Sequence, residues 1–478
     1  MPVDLIEQFI DVYVDALRDN NAAIFAGAGL SIPAGFVDWK KLMRGIAADL
    51  NLSVDKESDL VTLAQYHVNE FKGRHKINQI LIDEFAAKAS VTKTHQVLAN
   101  LPIQTFWTTN YDTLIEDSLR KAHKKPDVKI ATANLATTVH NRDAVVYKMH
   151  GDVSLPHEAV VTKEDYETFS SGRQLFSTAL QGDLVSKTFL FIGFSFNDPN
   201  LSYILGRIRA LLGGNVRHHY CLIRRVARKD FGPVKEFHYA QAKQELQIRD
   251  LRRYGIIAVV ADDYSQYADV IDRLAKRYKR SKVFISGSAA SYSPFSETKG
   301  SALTQAISRG LVKNKFGVVS GGGLGIGPHV VNGALEQFEA ENTRAIDDRL
   351  TLRPFPAAIA DPAKRKLRWT NYRKEILREA GIAIFLFGNK LDADGNMIKA
   401  DGVEEEFRIA AQMGIPVIPV GATGHVAADL HAKVLADFDK YYPSPGFRSL
   451  FVSLGRDGSA NQIASRVIRF VEKLQTHK

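Results

Sequence analysis

The sequence predicts an α/β protein of two units, each a mainly parallel sheet with helices on both faces. Three observations carry this expectation. At 478 residues the chain exceeds what one ordinary core supports. Short runs rich in β-branched and aromatic residues alternate with longer helix-like stretches, the order that builds parallel sheets. The pattern then restarts at Ser281, which places the domains at 1–280 and 281–478, both of usual size.

The strand-like runs of the first unit are NAAIFAGAG (21–29), QTFWTTN (104–110), DAVVYKMHGD (143–152), KTFLFIGFSF (187–196), RHHYCLIRR (217–225) and IIAVVA (256–261). Helix-like segments such as DTLIEDSLRKAH (112–123) separate them, and YSQYADVIDRLAKRYKR (264–280) closes the unit with the basic last turn a helix C-terminus favours. In the second unit KVFISGSAA (282–290), GVVSGGGLGIG (317–327), IAIFLFGN (382–389) and IPVIPVGATG (415–424) are the strands, and helix-like VVNGALEQFEA (330–340) follows the glycine loop directly. The halves share glycine-rich turns but no register, so they are not an internal repeat.

Hydrophobic residues at 45% and charged residues at 24% are the profile of a soluble globular protein. One cysteine, Cys221, excludes an internal disulfide framework and a multi-cysteine zinc site; no metal is expected. The N-terminal stretch is acidic and amphipathic, without the basic region or cleavage site of a secretory signal. No apolar run is long enough to span a bilayer, so a cytoplasmic enzyme or sensor is expected. The net charge of +10 collects in KRYKRSK (276–282) and AKRKLRWTNYRK (363–374). Nucleic acid, a solvated surface and a pocket for a small anion all account for such clusters. Without an arginine-rich tail, zinc finger or aromatic–basic RNA motif, nucleic acid ranks third.

Chemistry concentrates at strand ends. Gly27-Ala28-Gly29 stands where a strand passes into a helix, a place where backbone can approach a phosphate. Asn110 and Asp112 follow the second run, His150, Gly151 and Asp152 the third, and Gly193, Ser195, Asn197 and Asp198 the fourth. Ligands of parallel α/β sheets bind outside the carboxyl ends of the strands, so these four ends are expected to converge on one crevice. Each also has a plain structural account: Asn110 as a turn residue, His150 as a core histidine, Asp198-Pro199 as a helix start.

Together GAGLS, TTNYD and HGD resemble the sirtuin-type NAD-binding signature over residues 15 to 275. The resemblance implies that Gly27, Ala28, Gly29 and Ser31 bind the dinucleotide. It further implies that Asn110 and Asp112 lie at the nicotinamide-ribose end, that Asn110 is catalytic together with His150 as the base, and that Gly193 and Ser195 touch the adenosine side. A histidine suits the task, since its ordinary pKa lies near physiological pH. Two departures separate the chain from the deacylases of that family: one cysteine replaces the two CxxC pairs of their zinc module, and GFVDWKKL (35–42) stands where they read GIPDFR. Without a zinc-built peptide groove, water becomes the acceptor and NAD hydrolysis is favoured over deacylation.

The second unit resembles the SLOG family of nucleotide-binding proteins over about residues 282 to 475, which makes both units Rossmann-like. The glycine run 321–327 offers backbone NH groups for an anion-binding nest. The catalytic PGGxGTxxE stretch of the cytokinin-activating branch is absent from LFGNKLDADGNMIKADGVEEEF (386–407), so sensing is expected there. A sirtuin-type unit followed by a SLOG unit resembles the effectors of Thoeris anti-phage defence, with FAGAGLS, LVSKTFLF, GFSFNDPNL, LRPFP and PVGATG in common. That resemblance implies a homotetramer that depletes NAD when a cyclic ADP-ribose isomer, made by a TIR-domain partner, binds the SLOG unit. The implied activator residues are Gly287, Ser288, Gly323, Leu324, Gly325, Arg373, Lys390, Gly402 and Glu406. Arg373 and Lys390 suit a pyrophosphate and Glu406 ribose hydroxyls; without the resemblance Arg373 reads as one solvated member of a basic cluster. An NAD-dependent deacylase and a non-catalytic nucleotide sensor are the alternatives.

Overall fold

Four apolar runs of the first unit end level with one another, which sets their polar strand ends side by side. The computed structural model describes residues 3–85, 89–196, 198–263, 265–343, 346–356, 360–442 and 444–477. Their contacts divide the chain into two compact units, Met1–Ala275 and Lys276–Lys478.

The first unit holds β1 (Ala22–Ala26), β2 (Thr105–Thr108), β3 (Pro126–Lys129), β4 (Ala144–Lys148), β5 (Thr188–Ile192), β6 (His219–Arg224) and β7 (Ile256–Ala261). They pair in parallel in the order β3-β4-β2-β1-β5-β6-β7. β1 and β5 are buried at every residue, as a sheet covered on both faces requires. Six of the strands follow the apolar runs of the sequence. β3 escapes that reading because PDVK is half charged; it is an edge strand whose buried Asp127 is matched by Lys129 at 2.8 Å and Arg142 at 2.7 Å. Cys221 lies buried on β6, where burial pushes its thiol far above the ordinary range, leaving it unreactive.

Register does the positioning. Ala26 stands opposite Thr108 and Ile192, and Thr108 opposite Lys148. The residues that follow all emerge at one edge of four adjacent strands, β4-β2-β1-β5. Between β1 and β2 the chain adds helices Leu60–Phe71 and His75–Phe85. These pack a separate small core of Leu42, Ile46, Leu63, Ile77 and Leu81 against Tyr111 of the TTNYD turn.

The second unit holds β8 (Lys282–Ser288), β9 (Gly317–Ser320), β10 (Leu350–Leu352), β11 (Ile382–Phe387), β12 (Asn389–Leu391), β13 (Met397–Lys399) and β14 (Val417–Pro419). Five of them form a parallel sheet in the order β10-β9-β8-β11-β14, while β12 and β13 make a separate antiparallel hairpin. β10 and the hairpin are absent from the sequence reading: three-residue strands leave no periodicity to detect. The hairpin turn closes when Asp392 Oδ1 accepts from the amides of Asp394 and Asn396 at 2.9 and 2.8 Å. Among the described residues no helix is long and apolar enough to cross a membrane.

Candidate functional site

The glycine turn after β1 differs from its expected form. Only one helical turn, Ala28–Ser31, follows, and a 3-10 turn, Ile32–Ala34, succeeds it. The amides of Gly27 and Gly29 are already used, donating to Ile192 O at 3.0 Å and Gly193 O at 2.9 Å. The glycines therefore serve first to let the β1 and β5 turns touch. A Cβ on Gly193, whose φ is +66°, would stand 2.2 Å from Leu30 N. Gly193→Ala is thus expected to lower stability by at least about 1–2 kcal/mol from the left-handed backbone alone. A thermal midpoint equal to wild type would show that the two turns do not meet.

Asn110 ties this turn to β2. Its Nδ2 donates to Gly27 O at 3.1 Å and to the buried Ser31 hydroxyl at 3.0 Å. With both amide hydrogens committed, Oδ1 is left to accept from a ligand hydroxyl or a water. Asp112 accepts the Leu114 amide at 3.0 Å on Oδ1, while its buried Oδ2 has no partner. Ala28 and Ser195 are exposed at the mouth of the same edge. Asn197 lies outside the described residues.

His150 is 4% exposed. Tyr166 and Phe169 wall its ring edge-on, with centroids at 5.5 and 6.2 Å. Its Nε2 lies 3.1 Å from Asp198 Oδ2, within ion-pair reach but off the line of a good hydrogen bond. Burial would raise the Asp198 carboxyl; the neighbouring His150 and the amides of Leu201 and Asn200 outweigh burial and hold it below the ordinary range. Asp198 is a helix start, as its sequence suggests, capping Pro199–Leu212 through the Leu201 amide at 2.9 Å. The same residue faces the histidine, which sequence spacing does not show.

Beneath the edge lies a residue the sequence reading passed over. Lys148, 0% exposed, ends β4 inside an apolar run. Its ammonium reaches Glu116 and the Tyr111 carbonyl, each at 3.2 Å, and also the Asp112 carbonyl and the Asp152 carboxylate. Burial favours the neutral amine, but the charges of Glu116 and Asp152 win and hold the lysine above its ordinary value. Burial pushes the Glu116 carboxyl up. This cluster clamps the TTNYD turn to the HGD turn. Its signal in the sequence was a lysine within a buried strand, which must find a carboxylate.

In the second unit Gly287, Ser288, Gly323, Leu324, Gly325 and Lys390 lie at or just beyond the carboxyl ends of β8, β9 and β11, while Arg373 lies on helix Pro362–Arg378 and Gly402 and Glu406 on helix Asp401–Gln412. A Cβ on Gly323 would stand 2.0 Å from Gly287 O, and the Ala289 amide donates to Leu324 O at 2.8 Å, so the two glycine loops interlock. Gly325 packs as closely against the Ala289 carbonyl, and the Ser288 hydroxyl donates to Asn389 O at 2.8 Å. Arg373 is not a solvated residue of a basic cluster: it is 9% exposed, 5.0 Å over the Phe355 ring. It donates to Glu405 at 2.7 Å, and its Nε lies 3.4 Å from Glu406. The bare Cα of Gly402 makes room for its guanidinium. Glu406, raised by burial, accepts the Ser286 hydroxyl at 2.6 Å. Lys390 pairs with Asp401. Both cations are thus neutralised within the chain, and an anionic ligand has to compete with Glu405 and Asp401. Glu405 and Ser286 are contacts that sequence spacing left unseen. Among the described residues no group of three or more His, Cys, Asp or Glu side chains is arranged to hold a metal ion.

Residues 104–249 match the SIR2-like domain, and residues 266–474 match the Sir2- and TIR-associating SLOG family. The NAD(+) hydrolase ThsA of Acinetobacter baumannii (strain 532279) is 46% identical over 94% of this chain and 94% of its own. The protein of the same name from Bacillus cereus (strain MSX-D12) is 45% identical over 98% of both, and that of Cytobacillus dafuensis 44% over 98% and 97%.

Proposed function

From the premise that this chain belongs to the NAD(+) hydrolase ThsA family, we propose that its first unit cleaves NAD to ADP-ribose and nicotinamide. We propose further that a cyclic ADP-ribose isomer on the second unit switches this cleavage on, depleting NAD in anti-phage defence. The observation that carries the reading is the level register of β4, β2, β1 and β5, which brings His150, Asn110 and the Gly27–Gly193 contact to one edge.

The residues divide the work by chemistry. Asn110 Oδ1 and Asp112 Oδ2 are acceptors without protein donors among the described residues, suited to the hydroxyls of a ribose. His150 takes a proton from water as the bond to nicotinamide breaks, and nicotinamide departs neutral because NAD carries its positive charge there. In the second unit Arg373 and Lys390 exchange their carboxylates for pyrophosphate oxygens, and Glu406 accepts from ribose. A TIR-domain protein supplies the activator, and the active form is a homotetramer.

The test is an activator titration. Purified protein is incubated with NAD and increasing cyclic ADP-ribose isomer while nicotinamide is followed. Wild type is expected to respond. Arg373→Ala and the milder Lys390→Ala should each move the midpoint up tenfold or more, about 1.5–3 kcal/mol for a charge-assisted contact. Midpoints equal to wild type in both variants would remove these cations from the sensor, and NAD cleavage that ignores the nucleotide would remove the sensor itself.

A further inference from the structure

Asp198 has two oxygens with different duties. Oδ1 accepts the Leu201 amide at 2.9 Å and caps helix Pro199–Leu212, which fixes the carboxylate in place. Oδ2 has the Tyr166 hydroxyl at 3.5 Å and His150 Nε2 at 3.1 Å. Burial and Asp198 raise the Tyr166 pKa, so this hydroxyl stays a donor. His150 Nε2 therefore stands within ion-pair reach of a fixed carboxylate, without an aligned hydrogen bond, inside a wall of two aromatic rings. Its other nitrogen, Nδ1, has no hydrogen-bond partner among the described residues and is not enclosed.

We propose that Asp198 is the positioning residue of His150: its carboxylate, 3.1 Å from Nε2, favours hydrogen on that nitrogen through its charge and leaves the Nδ1 lone pair for the reacting water. This rests on the hydrolase reading above. In the step it serves, the ribose C1′–nitrogen bond breaks and its electron pair stays on nicotinamide. A water oxygen bonds to C1′, and the proton that water loses is taken at Nδ1 before release to solvent. The imidazolium formed carries hydrogen on both nitrogens, and Asp198 stabilises it while Tyr166 and Phe169 exclude competing water. A nucleophile–base pair oriented by a third group follows the same logic on many folds. Asp112 is not a substitute: it lies on the β2 side, with one oxygen committed to the Leu114 amide.

Asp198→Asn and Asp198→Ser test this in the full chain, with NAD and a cyclic ADP-ribose isomer at saturation. Asparagine and serine are N-caps equal to aspartate, so both variants should keep the helix and the thermal midpoint. Asparagine offers His150 Nε2 a donor and inverts the tautomer; serine does not reach it. The expected result is a fall in kcat of about 10²–10⁴-fold, with KM for NAD within about threefold of wild type. Wild-type kcat in either variant overturns the pairing. So does a loss confined to KM, or one that tracks a lowered thermal midpoint, which would make Asp198 a cap alone. A wild type that releases no nicotinamide overturns the hydrolase reading instead.

Discussion

His150→Ala is expected to lower activator-stimulated nicotinamide release by about 10²–10⁴-fold, the usual worth of a general base. Asn110→Ala should be comparably severe, because two functions leave together. The variant loses the acceptor for a ligand hydroxyl, and it also frees the Gly27 carbonyl and Ser31 hydroxyl that fix the glycine turn. The folds should survive. His150 Nε2 has no well-aligned hydrogen bond to lose, and the two neutral hydrogen bonds of the Asn110 amide contribute about 1 kcal/mol each. The measurement is single-turnover release of nicotinamide beside a thermal melt. A His150→Ala protein that turns over within about tenfold of wild type would deny it the role of base, since alanine retains no proton acceptor.

Lys148→Met is expected to be strongly destabilising. Methionine fills similar space but leaves Glu116 and Asp152 buried without their cation. Breaking a buried pair in this way costs about 3–5 kcal/mol. The sign of the pH dependence follows from the carboxylates. Burial already raises Glu116, and loss of the ammonium raises it further. The native variant then binds more protons than its unfolded chain, so its stability falls as pH rises from about 4 through the raised folded value. The deficit against wild type should therefore be larger at pH 8 than at pH 5. Chemical denaturation at the two pH values checks this; a deficit under about 1 kcal/mol at both would mean the cluster is hydrated. Double substitution with Glu116→Gln should recover part of the loss, because it removes one of the stranded charges.

The two sets of glycine-rich strand ends were legible for the same reason. GAGLS, TTNYD, HGD and the 321–327 run each follow a strongly apolar strand, and in a parallel α/β sheet such ends emerge at one edge. Composition excluded a cysteine-built zinc module outright. What escaped was short or paired through space. β3 and β10 carry too few apolar residues to show a period, and the one-turn helix after Gly27 has the same opening signature as a long one.

Local residue order by itself determined two parallel α/β units and the strand ends at which polar residues and glycines gather, because hydrophobic period and glycine turns act between near neighbours in sequence. Only the tertiary structure decided which side chains face each other. His150 and Asp198 lie 48 positions apart, and Arg373 and Glu405 are 32 apart; no periodicity connects them. Burial does, because a charge removed from water must find an opposite charge wherever the fold brings one. That requirement turned Asp198 from a helix cap into the partner of a histidine. It likewise turned Arg373 from a solvated cation into the buried centre of a carboxylate pair.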